Sequence, residues 1–325
     1  MRILIVILGL VLLTGGLVRP ATALDGTATQ DPAAPTAEAT PEPLPTRGPR
    51  PRSFAIVNDD RAALQFFFEG VVPQGQSRLA RVVGDDIRAV SADWLGKPIR
   101  FWPGEDGSYY GLLSADMEAP VSDVNELTVT VTFGDGAPST LTTNVPLVRG
   151  SFINQSLTMP SEKGYLLDPV TERSELALLD LFIAPETDVR GWDSSGFQLP
   201  IPAGLVSPFG AVRTFNGAHR TRHTGWDITV TGGQPIMAMA DGTVVMQQTL
   251  PIRGQYVLID HGYGVYSGYA HLADVYVEVG QQVAQGTVIG TVGETGRTSG
   301  PHFHWETAVN GVWVDSVQLL ELWMP

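Results

Sequence analysis

Apolar and polar positions change rhythm several times along the 325-residue chain. Ile3 to Val18 (ILIVILGLVLLTGGLV) is apolar or small throughout. Asp25 to Arg52 has no apolar period and is rich in Pro, Ala, Thr and Glu, a composition that cannot bury a core and predicts a disordered linker. From Phe54 to Gly150 the period is two, as in Leu79–Val83 and Leu127–Phe133, with turn signals at Pro73–Gly75, Gly104–Gly107 and Gly134–Gly136. Short alternating runs between such turns predict a β-sandwich. Over Thr171–Ala184 the spacing of Leu176, Leu179 and Phe182 or Ile183 is helical, with a cap expected within Thr171–Ser174 and a stop at Pro185. From Pro200 to Pro325 strands return: Gly242–Met246, Tyr256–Ile259, Val265–Tyr269, Val275–Val279 and His302–Val309. The glycines repeated through Val277–Gly296 suit hairpins and tight sheet corners.

These patterns divide the chain into a segment 1–23, a linker 24–53, a β-sandwich 54–150, a helix-containing connector 151–199 and a second β-rich domain 200–325. Met1-Arg2, the apolar run and Ala21-Thr22-Ala23 together read as a secretory signal peptide cut after Ala23, the alternative being an uncleaved anchor. No later stretch is long and apolar enough to cross a membrane. The formal charge of −14 repels phosphate and argues against a nucleic-acid partner. With no cysteine, disulfides, thiolate metal sites and thiol nucleophiles are excluded.

All six histidines lie between His219 and His304, and the first 218 residues have none. His223 and Asp227 in "HTGWD" stand on a loop entering a strand, where imidazole and carboxylate can reach one Zn²⁺ or simply bond each other. His302 and His304 in "GPHFHWE" fall on one face of a strand, which turns Phe303 toward the core. His271 in "GYAHL" closes a candidate strand. His219 and His261 carry no site signal and read as structural.

"HTGWD", "YAHL" and "GPHFHWE" in this order, set within "SPFGAVRTFNGAHRTRHTGWDI" and "VGQQVAQGTVIGTVGETGRTSGPHFHWE", resemble the lysostaphin/LytM-type zinc metallopeptidases over about Pro200–Trp313. The sandwich, with "VVPQGQSRLARV" and "DGSYYGLLSADMEAP", more weakly resembles the Ig-like domain preceding this peptidase in some exported bacterial proteins. The resemblance implies a mainly β protein: an Ig-like sandwich followed by an antiparallel peptidase sheet with a narrow groove. It implies one Zn²⁺ per chain on His223, Asp227 and His304, with His271 and His302 as catalytic histidines. Trp226 stands where the family commonly has an aliphatic residue, a change expected to touch packing alone.

The function implied is that of an exported zinc endopeptidase of the cell envelope, acting on peptide stems or cross-bridges of peptidoglycan. Three protein ligands leave a position for water, and no H-E-x-x-H glutamate is present, so histidine must move the protons. Two other readings share the fold. One is a non-catalytic wall-binding or hydrolase-activating protein; the other is an extracellular protease acting on proteins. Retention of all five site residues favours catalysis over the first.

Overall fold

The computed structural model describes residues 50–184 and 187–325, so the expected signal segment and most of the linker lie outside the described residues. Among the described residues no helix is long and apolar enough to cross a membrane.

The strands of the first domain run in one hydrogen-bonded antiparallel order: Phe54–Asn58, Ala62–Phe66, Ser77–Gly84, Tyr109–Ser114, Lys97–Pro103, Ile87–Trp94, Glu126–Phe133 and Pro138–Asn144. Two sheets meet at the strand Lys97–Pro103, whose first half pairs with Ile87–Trp94 and whose second half pairs with Tyr109–Ser114. The outermost strands, Phe54–Asn58 and Pro138–Asn144, touch. The two sheets enclose Leu64, Phe66, Trp94, Leu113 and Phe133. The two-residue period explains the inner face, but the outer face is apolar too. Leu79, Trp102, Tyr110 and Leu112 point outward and join the core of the second domain. Trp102 meets Trp192 edge to face at 5.3 Å. Such a sheet, buried on both sides, cannot show clean alternation in sequence.

The connector contributes a strand and a helix. Asn154–Leu157 pairs in parallel with Val212–Phe215, which pairs antiparallel with His219–Arg222. Helix α1 spans Pro169–Ile183 and is capped by Asp168, whose carboxylate accepts from Val170 N (3.3 Å) and Thr171 N (2.9 Å). It therefore starts two residues before the expected Thr171. Proline suits the first helical position because its missing N–H would be unpaired there anyway. The apolar period begins only at Leu176, so the polar first turn was silent. The buried stripe is Glu175, Leu179 and Ile183. An acid on the inward face is outside any amphipathic pattern.

The second domain is built on a ten-stranded sheet whose main path is Leu205–Ser207, Gly225–Ile228, Phe303–Val309, Val265–Val275, Gly254–Asp260, Gly242–Leu250 and Gln282–Val283. Tyr256, Tyr269, Phe303 and Trp305 are fully buried in it. Burying one large apolar side chain of this kind contributes about 1.5–3 kcal/mol, so this core makes a rigid floor for the groups above it. The expected strand Val275–Val279 is not formed: the ladder ends at Val275. Val277 alone turns inward, while Tyr276 and Val279 face solvent. Trp226 does more than pack, since its Nε1 donates to Asp315 Oδ1 at 2.7 Å and so ties the site strand to the cap of the helix Ser316–Glu321.

Candidate metal and catalytic centre

The site lies where three neighbouring strands of this sheet meet. Asp227 on Gly225–Ile228 stands opposite His304 on Phe303–Val309, and His304 stands opposite Ala270 on Val265–Val275. His223 lies two residues before the first of these strands. His223 Nε2, His304 Nδ1 and Asp227 Oδ1 form a triangle with sides of 3.0, 2.9 and 3.0 Å. Donors of a tetrahedral zinc with ~2.1 Å bonds stand ~3.4 Å apart, so an ion needs about half an ångström of spreading. The donor set, two imidazoles and a carboxylate, suits Zn²⁺. The three expected ligands are thus brought together.

Each imidazole is anchored through its far nitrogen. A carbonyl or carboxylate oxygen only accepts, so the nitrogen facing it carries the proton. His223 Nδ1 donates to Pro208 O (2.8 Å) and His304 Nε2 to Glu306 Oε2 (3.1 Å), so a cation in the triangle would displace only the protons that face Asp227 Oδ1. His271 Nδ1 donates to Thr295 O (2.7 Å), and His302 Nδ1 faces Gly300 O and Thr298 Oγ1, both at 3.0 Å. Both of these histidines therefore keep an unprotonated Nε2. Their rings lie 4.6 Å apart, and His302 Nε2 is 3.7 Å from Asp227 Oδ1.

Two local features differ from the sequence expectation. His302 sits just before the strand, which begins at Phe303, so the glycine-rich loop sets its height. Phe303 does turn inward, stacked 6.1 Å from Tyr269. His271 lies inside an eleven-residue strand, not at its end, with φ +59°. The strand has one extra residue here against Gln255–Val257, a bulge that re-aims the side chain into the site. Gly254 is the neighbour that permits this: a Cβ there, at φ +65°, would sit 2.3 Å from Thr295 Oγ1 and 2.4 Å from its carbonyl oxygen.

The electrostatics follow from burial and pairing. Burial pushes His223 down to about 4 despite Asp227 beside it. His271 is held well below the ordinary imidazole value, first by burial and then by His302 and His304. Burial works against Asp227, but His223 and Arg213 overcome it and keep the carboxyl well below the usual carboxylate range. Arg213 pairs with Asp227 Oδ2, leaving Oδ1 for an ion. His219 and His261 find their partners away from the triangle: His219 bonds Glu172, and the buried His261 bonds Asp241 O and Ser267 Oγ.

Sequence reasoning missed several supporting groups. Glu306 follows His304 by two residues, so the strand period already placed it on the same face. Arg213, Arg253, Glu172 and Glu175 had no local signal. Glu172 on α1 meets Arg297 Nη1 at 2.9 Å and His219 Nε2 at 2.9 Å, and also Thr221 Oγ1. One carboxylate thus ties the Gly293–His302 loop to the strand His219–Arg222. Beside the site runs a cavity of about 460 Å³ lined by Gln155, Leu157, Asp227, His271, Arg297 and His302 among others.

Glu172 supplies a stability test. Burial alone would raise its carboxyl, yet Arg297, Thr221 and His219 hold it down at about 2, against 4.5 when free. A carboxylate depressed in the folded state stabilises it above the free value, and that contribution is lost as pH falls from about 4.5 through about 2. Glu172→Gln is expected to lower stability at pH 7 by on the order of 3 kcal/mol. Urea titrations should show parent and variant converging over that acid window; parallel curves would show that the ion pair contributes nothing.

Comparison with known proteins places these features together. Residues 221–316 match the model of peptidase family M23. The peptidoglycan DD-endopeptidase ShyA of Vibrio cholerae is 43% identical over 89 residues, 27% of this chain and 21% of that protein. The DD-carboxypeptidase/endopeptidase Mpg of Neisseria meningitidis is 40% identical over 130 residues, 39% of this chain and 30% of that protein. The matches therefore span about a fifth to a third of these relatives' length. A crystal structure of a putative peptidase M23 from Pseudomonas aeruginosa covers 79% of this chain and 96% of its own, at 25% identity and TM-score 0.57.

Proposed function

With residues 221–316 belonging to peptidase family M23, we propose that this protein is an exported zinc endopeptidase that hydrolyses peptide bonds in peptidoglycan stems or cross-bridges. The observation that carries this reading is the triangle of His223, Asp227 and His304 with two further histidines beside it, each ring anchored through its far nitrogen. A Zn²⁺ held by these three side chains supplies a Lewis acid for the scissile carbonyl and lowers the pKa of water.

The chain's own groups do the rest. His302 and His271 present Nε2 lone pairs toward the site and can take a proton from water. Once protonated, each becomes a donor for the developing oxyanion or for the departing amine. The carbonyls of Thr295 and Gly300 hold the rings and stabilise the imidazolium form. Arg213 keeps Asp227 ionised. The cavity beside His302 is the place for the substrate chain, and the relatives' printed activities on peptidoglycan point to a peptidoglycan peptide. Export rests on Ile3–Val18 and Ala21–Ala23. The sandwich, seated on the second domain through Trp102, Tyr110 and Leu112, serves as scaffold for the connector.

The test uses purified full-length protein and isolated peptidoglycan. One zinc per chain is expected, with turbidity falling as new amino termini appear in mass spectra. Treatment with a chelator is expected to stop the loss of turbidity, and added Zn²⁺ to restore it. Binding to the wall with no new amino termini would replace this reading by the non-catalytic one.

A further inference from the structure

Helix α1 lies outside residues 221–316, in the connector, yet it places a carboxylate under the catalytic floor. Glu175 is 4% exposed and accepts from Ile252 N (2.6 Å), Arg253 N (3.1 Å) and Arg253 Nη1 (3.0 Å). Arg253, itself buried, meets Glu306 with two nitrogens, Nε to Oε1 at 2.6 Å and Nη2 to Oε2 at 2.9 Å. Glu306 is fully buried, and its Oε2 accepts from His304 Nε2. Tyr256 Oη and Thr224 Oγ1 complete its acceptor sites, each at 2.7 Å. The Arg253 carbonyl, in turn, accepts from the backbone N–H of His271 at 2.8 Å, at the strained residue of the bulge.

We propose that Glu175 is a positioning residue of the active centre, fixing the metal ligand His304 through Arg253 and Glu306 and the catalytic His271 through the Arg253 backbone. The inference rests on the zinc-site reading above. The physical grounds are direct. A bidentate guanidinium–carboxylate pair has one good geometry, and any tilt of the guanidinium turns Glu306 and with it the His304 ring. Buried charges must stay paired, so the guanidinium follows whichever carboxylates remain. Glu175 holds Nη1 together with two backbone N–H groups of the Leu250–Gly254 turn, and so fixes the side chain and the backbone of Arg253 at once. Two carboxylates against one guanidinium also leave net negative charge behind the His304 Nε2–H, which makes its Nδ1 a better donor to a metal. The connector is then part of the catalytic unit, although Glu175 and His304 are 129 positions apart in the chain.

The test measures metal binding on the full-length protein, with Glu175→Ala, Glu175→Gln and, as a control for helix docking, Leu179→Ala. Leu179 is a fully buried helix residue whose side chain joins the core and not this chain of bonds. Zinc affinity is read by competition with a chelating dye, and geometry by the visible spectrum of the Co²⁺-substituted protein. Glu175→Ala is expected to weaken zinc binding about 10–100-fold, to alter the Co²⁺ spectrum, and to lower kcat more than it raises KM. Glu175→Gln, which keeps an acceptor and the shape, should recover part of each and serves if the alanine variant does not fold. Leu179→Ala should lower Tm and leave the spectrum as in the parent. Parental zinc affinity and spectrum in both Glu175 variants would overturn the proposal, as would the same spectral change in Leu179→Ala. The metal readouts do not depend on the substrate, so a parent that binds zinc without cleaving peptidoglycan would overturn the functional reading alone.

Discussion

Replacing His304 by alanine is expected to abolish both zinc binding and hydrolysis. The change removes the Nδ1 that stands 3.0 Å from His223 Nε2 and 2.9 Å from Asp227 Oδ1, leaving two donors where three converge. Two ligands do not make a closed site for a divalent ion in competition with water. The Lewis acid supplies several kcal/mol of transition-state stabilisation, so its loss lowers the rate by about 10³-fold or more. The fold should survive: Glu306 keeps Arg253, Tyr256 and Thr224 as partners, so no buried charge is abandoned. Metal analysis, thermal unfolding and wall turbidity on one preparation separate these effects. A His304→Ala protein that holds one zinc and clears walls at the parental rate would show that the ligand assignment is wrong.

The second large effect has the opposite metal signature. His302→Ala and His271→Ala should each retain one zinc per chain and lose about 10²–10⁴-fold in kcat, the usual weight of a positioned acid or base. Neither side chain belongs to the triangle; each donates Nδ1–H to a backbone carbonyl and offers only Nε2 to the site. The two should act as a unit, so the double variant is expected to lose far less than the product of the single losses. The pH profile of kcat/KM in each variant should lose a limb that the parent shows. A variant with full zinc and more than about a tenth of parental kcat would remove that histidine from the proton transfers.

Much of this centre was legible in the chain because it is written in short spacings. The two-residue period of a strand put Phe303 in the core and Glu306 behind His304, and the H-x-H spacing brought His302 beside them although the strand begins only at Phe303. His223 and Asp227 lie on one loop-to-strand entry. The supporting charges were not legible. Glu175 stands four residues before Leu179 on the inward stripe of α1, but an acid there has no local partner, and only the seat of α1 against the Leu250–Gly254 turn supplies one. Arg253 reads as a loop cation in "PIRGQ", yet it is almost wholly enclosed. The outward apolar face of the sandwich was equally silent, since alternation reports one buried face and Leu79, Tyr110 and Leu112 occupy the other.

By itself, then, the sequence pointed to the β-rich architecture, to a helix over Thr171–Ala184 and, through the family resemblance, to the five residues proposed for the metal and catalytic centre. The first two follow from covalent neighbours and a fixed backbone period, which need no distant partner; the roles of the five follow from the order of motifs shared with the family. The tertiary structure alone decided the bulge that aims His271 and the height of His302 at the mouth of its loop. It also decided the run of charged hydrogen bonds from Glu175 through Arg253 to Glu306. These depend on which buried group finds which partner across some fifty to one hundred and thirty residues of chain. That choice is set by the need to pair every buried charge once the sheets have packed, and no local pattern encodes it.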